Sequence, residues 1–380
     1  MVEAAGKPVA APGPVCCPRY PRIAGIEQKF DGGTGIASGT EVRCSRVRRG
    51  WLRESGTGGG AALPVGAVTG PGSGVGSREQ KPGTRCCPVR QCCSKGDEMA
   101  VDVGRVGVWA TGPHWGGSAG QEAVAELEEL GYGAFWLGGS PSGDLRQVAE
   151  LLAATKAMPV ATGIVNVWQD AADVVAASYN RVVANHPNRF LLGIGAGHPQ
   201  ATAEYTRPYD KLVNYLDTLD AADPPVPADH RVLAALGPKV LHLASQRTAG
   251  AHPYLVNPEH THRARTVLGP EPLLAPEQKV VLETDPDRAR AIARAGVAMY
   301  LALTNYTNNF RRLGYTDEDF ADGGSDRLID GLVAWGDEAA VLARISEHHQ
   351  AGADHVAIQV LTEDGNALAP LRRIANALFT

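Results

Sequence analysis

The stretch RFLLGIGAGHP, residues 189–199, passes from an apolar run into three alternating glycines, Gly193, Gly195 and Gly197, and stops on His198 and Pro199. Glycines spaced this way either wrap a nucleotide phosphate or end a strand whose last residues face a ligand. The pattern lacks the Gly-x-Gly-x-x-Gly of a dinucleotide loop, so it reads as a strand end. A second stretch, AALGPK, sets Leu236 and Gly237 just before a helix that Pro238 opens. Backbone N–H groups there point out of the helix N-terminus beside Lys239 and favour an anion such as a phosphate. The same Gly-Pro pair also reads as a plain turn. His114, His198 and His252 follow apolar runs and are candidate acid/base groups, because an unperturbed imidazole titrates near neutral pH. His186, His230, His242, His348, His349 and His355 fall on predicted helices or loops away from strand ends and read as solvated or structural. The sequence EHTH looks like a metal motif, but His260 and His262 stand i and i+2 on a helix and point apart, so no metal is assigned.

These residues are positioned by a regular alternation after residue 98. VGVWA is a compact apolar run. The next segment, SAGQEAVAELEELG, has Ser118 and Gln121 as a capping box, one apolar helical face, and Gly131 as its stop. AFWLGG returns as a strand. Asp144 with Gln147, Asp170, Asn257-Pro258 and Asp285-Pro286 are further predicted helix starts, and RLIDGLVAW reads as helical. Eight strands are expected, at Val106, Ala134, Pro159, Phe190, Val232, Ala251, Lys279 and His355. Near-continuous apolar strands separated by helices imply a parallel sheet, and eight of them in about 280 residues favour an α/β fold closed into a (β/α)8 (TIM) barrel. An open doubly wound sheet is the alternative, but ATGPHWGG after the first strand is not its fingerprint.

In such a barrel the residues just past each strand's C-terminal end form the working face. That collects His114 and Trp115; Gly138, Gly139 and Ser140; Val165, Asn166 and Trp168; Gly195, Ala196, Gly197 and His198; Leu236 and Gly237; and His252, Tyr254 and Asn257. This set is rich in aromatics and glycines and poor in carboxylates, which suits a flat hydrophobic ligand better than a metal. Trp109, Trp115, Trp168 and Tyr254 are the candidate substrate contacts.

The two ends of the chain differ in composition. Residues 1–98 hold 14 Lys+Arg against 8 Asp+Glu, all seven cysteines, 19 Gly and 9 Pro; the totals of 36 and 41 leave 22 against 33 for the rest, along with all eleven histidines. The first segment has no apolar periodicity and is expected to be disordered. Its CCPVRQCC matches no zinc spacing. Met99 follows KGDE, whose codons are purine-rich like a ribosome-binding site, so translation is expected to start there. No secretory signal and no membrane-length apolar window are seen. The acidic balance after residue 98 argues against nucleic acid as a partner.

The blocks ATGIVNVW, RFLLGIGAGH, VLAALGPKVLHLA, GAHPYLVNPEHT, NYTNNFRRLGY and GGSDRLIDGLVAWG resemble the luciferase-like monooxygenase superfamily, in particular its branch of oxidoreductases that use the deazaflavin coenzyme F420. The resemblance runs from about Gly104 to the C-terminus and covers none of residues 1–98. It implies a barrel mouth holding the deazaflavin, with a bulge and a non-proline cis peptide at Val165-Asn166 behind the ring. It places Gly139 and the segment Gly195, Ala196, Gly197 and His198 near the ring, and Leu236, Gly237 and Pro238 around the phosphate-bearing side chain. Several relatives carry an Asp-His pair where this chain has Gly139 and Ser140, so that pair's role does not transfer. His198 stands where some relatives have an acidic group, which leaves His198, His252 and His114 competing for proton transfer. The expected function is hydride transfer between F420 and a small organic substrate with an activated C=C, C=N or carbonyl group, in a cytoplasmic homodimer. The alternatives are an FMN-dependent monooxygenase, a non-catalytic flavin- or deazaflavin-binding protein and, third, a metal-dependent barrel hydrolase.

Overall fold

A strand covered on both faces favours a near-continuous apolar run, and β1 (Val106–Ala110) is buried along its whole length. The computed structural model describes residues 100–202 and 205–379; the expectations for residues 1–98, their cysteines and the Met99 start lie outside it. After β1 come α1 (Gly117–Glu129), β2 (Phe135–Gly138), α2 (Arg146–Ala154), β3 (Val160–Gly163), β4 (Val165–Asn166), α3 (Ala172–Asn185), β5 (Phe190–Gly195) and α4 (Pro208–Ala221). Then follow β6 (Arg231–Leu233), α5 (Pro238–Arg247), β7 (Gly250–Ala251), α6 (Pro258–Leu268), β8 (Leu273–Leu274) and β9 (Glu277–Val281). The C-terminal part is α7 (Pro286–Leu301), α8 (Thr304–Arg312), α9 (Asp326–Leu332), β10 (Val333–Trp335), α10 (Glu338–Gln350), β11 (Val356–Val360) and α11 (Leu368–Phe379).

Every strand pairing is parallel, in the order β10-β9-β11-β1-β2-β3-β5-β6-β7-β8, with β4 also on β5. β8 and β9 are two halves of one strand interrupted at Ala275 and Pro276. Ala275 N–H donates to Ala251 O and Glu277 N–H to Pro253 O on one flank, while Ala357 N–H donates to Pro276 O on the other. The ring therefore closes with eight strand positions, those expected from the sequence. The strand count exceeds eight because of breaks at residues 164 and 275–276 and because β10 adds a short strand beside β9. RLIDGLVAW is accordingly not all helix: α9 ends at Leu332 and Val333 turns extended, where its β-branched side chain is buried.

Side chains alternate along the ring. Val106, Val108, Phe135, Leu192 and Ile194 pack outward with the helices, while Trp109, Trp136, Ala161, Leu191, Val232 and Ala357 form the interior layer. A separate cluster joins α7, α8 and α9 through Ala293, Val297, Phe310 and Leu328.

Several local expectations are corrected. α1 starts at Gly117 after Gly116, one residue before Ser118, so the Ser118–Gln121 box does not cap it. Leu145 and Ala171, not Asp144 and Asp170, precede α2 and α3 at the cap position, and neither helix has a side-chain cap. Asn257 and Asp285 do cap their helices, accepting from His260 N–H and Arg288 N–H. The cis peptide lies at Gly163–Ile164, not Val165–Asn166. It falls where the ladder to β5 shifts: Ala161 pairs with Leu191 but Val165 with Ile194, so one extra residue on the β3–β4 side makes a bulge.

Candidate active site

The C-terminal mouth of the ring carries a cavity of about 580 Å³ between the ends of β1 and β11 and one face of α7. Trp109, Trp115, Ile292 and Leu361 supply apolar wall; Thr111, Gln359, Thr362 and Glu363 supply polar groups. Of the residues singled out from the sequence, Trp109 and Trp115 lie in this wall, and none of the predicted cofactor residues does. His114 is exposed at its rim, near Gly365.

Behind the wall is a charged network inside the barrel. Glu277 and Lys279 stand two apart on β9, so both side chains enter the interior, and both are wholly enclosed. The Lys279 ammonium has three donors and three acceptors: Tyr254 Oη at 2.6 Å, Gln359 Oε1 at 2.6 Å and Glu277 Oε1 at 3.2 Å. Glu277 Oε2 accepts Leu255 N–H at 2.8 Å. The Tyr254 hydroxyl donates to Gln359 Oε1 at 2.8 Å and lies 2.9 Å from that of Tyr300. Burial pushes the Lys279 amine below its ordinary range and the Glu277 carboxyl above its own. Burial also pushes the Tyr254 and Tyr306 phenols up. Reading β9 from Lys279 onward hid this pair. The signal was present in PEQKVVL, two opposite charges at strand spacing inside an apolar run.

The predicted glycines mostly make room for the protein's own side chains. A Cβ on Gly138 would lie 2.2 Å from the Trp109 ring, and one on Gly163 2.4 Å from Trp109 Nε1. A Cβ on Gly195 would lie 2.8 Å from Ile164, and one on Gly197 2.8 Å from Asn166 Nδ2. Asn166, Ala196 and Gly197 are thus brought together with Trp168, whose Nε1–H donates to Ala196 O at 2.7 Å and whose N–H donates to Asn166 Oδ1 at 3.0 Å. Val165 packs in the outer core, and Ile164 takes the inward place beside Gly195. Gly139 is exposed at φ +79°, with Thr111 against it. At Gly237, by contrast, an added Cβ meets nothing within 4 Å. Gly237 is the N-cap of α5 with no side-chain cap, exposed Pro238 is its first residue, and Leu236 O accepts a hydrogen bond from His260.

The three candidate histidines are spread apart. His252 is buried, stacked on Trp136 at 4.1 Å, with Nδ1 2.7 Å from Ala275 O. Its Nε2, like Trp109 Nε1, has no hydrogen-bond partner among the described residues, and both face Gly163. Burial lowers the His252 pKa to about 4, so it is neutral at physiological pH. His198 is half-buried, held by Asn305 Oδ1 at 3.2 Å and packed on Tyr306; burial lowers its pKa too. Of the EHTH pair, His260 is buried and His262 exposed, so they do point apart.

The polar segment after Leu303 forms α8 and lies against this mouth. α8 brings Asn305 to His198, and Gln200 Nε2 donates to Thr304 Oγ1 at 2.9 Å. Tyr306 is inserted among His198, Tyr254 and Tyr300. A helix reading was missed because TNYTNNFRR is polar nearly throughout; its buried face is Tyr306, Thr307, Asn309 and Phe310.

Comparison of this geometry with solved structures finds close matches of fold. An F420-dependent secondary alcohol dehydrogenase in complex with an F420-acetone adduct superposes with a TM-score of 0.56 at 15% identity, over 72% of this chain and 98% of that one. The coenzyme F420 dependent tetrahydromethanopterin reductase from Methanopyrus kandleri gives 0.57 at 14% identity, over 73% and 100%. An EDTA monooxygenase from Chelativorans sp. BNC1 gives 0.55 at 13% identity, over 72% and 93%. This chain shares their fold. No family model matches the chain, and no curated protein matches it by sequence. No helix among the described residues is long and apolar enough to cross a membrane.

Proposed function

We propose that the protein is an oxidoreductase that holds coenzyme F420 by its phosphate-bearing side chain at the N-terminus of α5 and acts on a small organic substrate in the β1–β11 cavity. The observation that carries this reading is Gly237. It is an uncapped helix start at the mouth of a closed parallel ring, with open space where a side chain would be. The Gly237 and Lys239 N–H groups have no intrahelical acceptor there, and the helix dipole adds attraction for an anion. These residues fit the anionic part of the cofactor. Ile164, Asn166 and the Gly195, Ala196 and Gly197 turn are the groups that would meet its ring. When bound, such a cofactor supplies or accepts a hydride.

The chain's own residues then position and enclose. The Asn166–Trp168–Ala196 hydrogen bonds hold the bulge and the β5 turn as one unit. The contacts of α8 with His198 and Gln200 keep water from the mouth. The Lys279–Tyr254–Tyr300 chain fixes the Gln359 amide at the cavity wall. A functional homodimer is part of the proposal. Two of the enzymes that share the fold are F420-dependent by name, which supports a cofactor of this kind.

The test is separate titrations of F420 and FMN into the purified full chain, followed by cofactor fluorescence. Saturable F420 binding is expected, weakened at least about tenfold in Gly237→Glu, whose carboxylate would face the phosphate. Tighter FMN binding would shift the assignment to a flavin monooxygenase, and binding of neither would refute the reading.

A further inference from the structure

We infer that the β1–β11 cavity is a subsite for a neutral, largely apolar carbonyl compound, and that the side-chain amide of Gln359 is the donor that holds its oxygen. This deepens the proposed function by naming a substrate class, and it rests on that reading for its catalytic meaning. The binding claim itself needs no cofactor.

The argument starts from which way the amide must face. Gln359 Oε1 takes Lys279 Nζ at 2.6 Å and the Tyr254 hydroxyl at 2.8 Å, so both of its lone pairs are used inside the barrel. An ammonium can only donate, so the atom turned toward Lys279 is the oxygen and the Nε2 group lies on the opposite side of the amide. Gln359 is also a wall residue of the cavity and only partly buried. The group it has left for the cavity is therefore a pure donor, locked in place by a lysine and a tyrosine that are themselves fixed.

The rest of the wall selects the ligand's body. Trp109, Trp115, Ile292 and Leu361 favour an apolar skeleton, and a volume of about 580 Å³ holds a ligand of modest size. Glu363 also lines the cavity, but its carboxylate is exposed and ion-paired with Arg288 at 3.7 Å, so it sets no charge preference. A donor with no acceptor capacity, set in apolar surroundings, pairs best with an oxygen that only accepts. That description fits a ketone or an enone. It does not fit an amine, which would bring a second donor, or a carboxylate, whose charge the apolar wall would desolvate with no cation in the lining to pair it. Two other polar wall residues, Thr111 and Thr362, carry hydroxyls that can serve either role and so do not set the preference.

The experiment compares acetophenone with ethylbenzene, which has CH2 where the ketone has C=O, by ligand-observed NMR titration of the full chain without cofactor. The wild-type protein is expected to prefer acetophenone by about tenfold. In Gln359→Leu the two ligands bind within about twofold of each other. Ala295→Trp, at an exposed wall position on α7, fills the cavity without touching the polar network and lowers both affinities at least about tenfold. Equal binding by the wild type, a preference that survives Gln359→Leu, unchanged binding in Ala295→Trp, or no saturable binding of either compound would each overturn the proposal. Should Gln359→Leu fail to fold, the wild-type preference and Ala295→Trp still decide. Failure of the F420 and FMN titrations would leave these binding ratios standing, so the two readings fail separately.

Discussion

Lowering the pH from neutrality will unfold this barrel through four histidines. Burial holds the imidazoles of His252, His260 and His355 down at about 4 and that of His348 at about 3. In the unfolded chain each returns to an ordinary value of about 6.5. Above that value all four are neutral in both states, and their contribution to stability is fully present. Below it the unfolded chain takes up protons that the folded chain refuses, so stability falls with pH until the folded values are reached. At about pH 5 the loss is about 2 kcal/mol per histidine, or about 8 kcal/mol for the four. That is comparable with the whole stability of an ordinary domain, about 5–15 kcal/mol. The geometry shows why the rings resist protonation. His355 Nε2 accepts from Trp136 Nε1–H at 3.0 Å while its Nδ1 faces Gly104 O, so a second ring proton would set two donors against each other. His348 is held between Thr261 and Gln278, both at 2.8 Å, with no carboxylate on either. The assay is urea unfolding at a series of pH values, with the C2–H resonances of the folded protein followed alongside. The expected result is a steep fall in stability between about pH 6.5 and 4.5, made shallower by about a quarter in His348→Gln. Stability that stays flat to about pH 5, or buried imidazoles that titrate near 6.5 in the folded state, would refute the reasoning.

Three other outcomes follow from the structure. Lys279→Met leaves the Glu277 carboxylate enclosed without its counter-charge and costs about 3–5 kcal/mol in urea unfolding, and adding Glu277→Leu recovers most of that loss; a double variant no more stable than Lys279→Met would count against the pairing. Gly193→Ala forces a Cβ to 1.8 Å from Thr162 O and sharply lowers the melting temperature, whereas Gly237→Ala meets no atom within 4 Å and leaves it within a few degrees, so equal effects would contradict the geometry. Asn305→Ala removes the hydrogen bond that holds the His198 pKa up, so by NMR that imidazole titrates lower still, and α8 amides exchange faster; an upward shift would be inconsistent with the contact.

The eight strand positions were legible because β/α alternation writes itself into a chain twice, as apolar runs for strands buried on both faces and as capped amphipathic segments between them. Where that code is weak, the reading slipped. Asp144 and Asp170 have the side chains of N-caps, yet the chain turns one residue later, at Leu145 and Ala171. Val333–Trp335 continues an apolar helical pattern, and only its place beside β9 makes it extended. The segment that forms α8 is weakly marked because its inward face mixes the aromatic Tyr306 and Phe310 with Thr307 and Asn309.

The glycines of RFLLGIGAGHP show why a site is harder to read than a fold. A glycine in a strand reports that something approaches closely, but not what. At Gly193 it is the Thr162 carbonyl, at Gly195 the Ile164 side chain set inward by the bulge, and at Gly197 the Asn166 amide. Each approach depends on the one-residue shift between β3 and β5, which no pattern along β5 encodes. The converse holds for Gly237, where the space beside the backbone is open and the helix start has no cap of its own. Lys279 follows the same logic from the other side. A lysine on a strand is ordinarily solvated, and this one becomes part of the site because β9 turns it inward against Glu277, Tyr254 and Gln359, residues drawn from three strand positions of the ring. The residues that set the chemistry here are those whose surroundings come from elsewhere in the chain, so their role became visible only once the ring had closed.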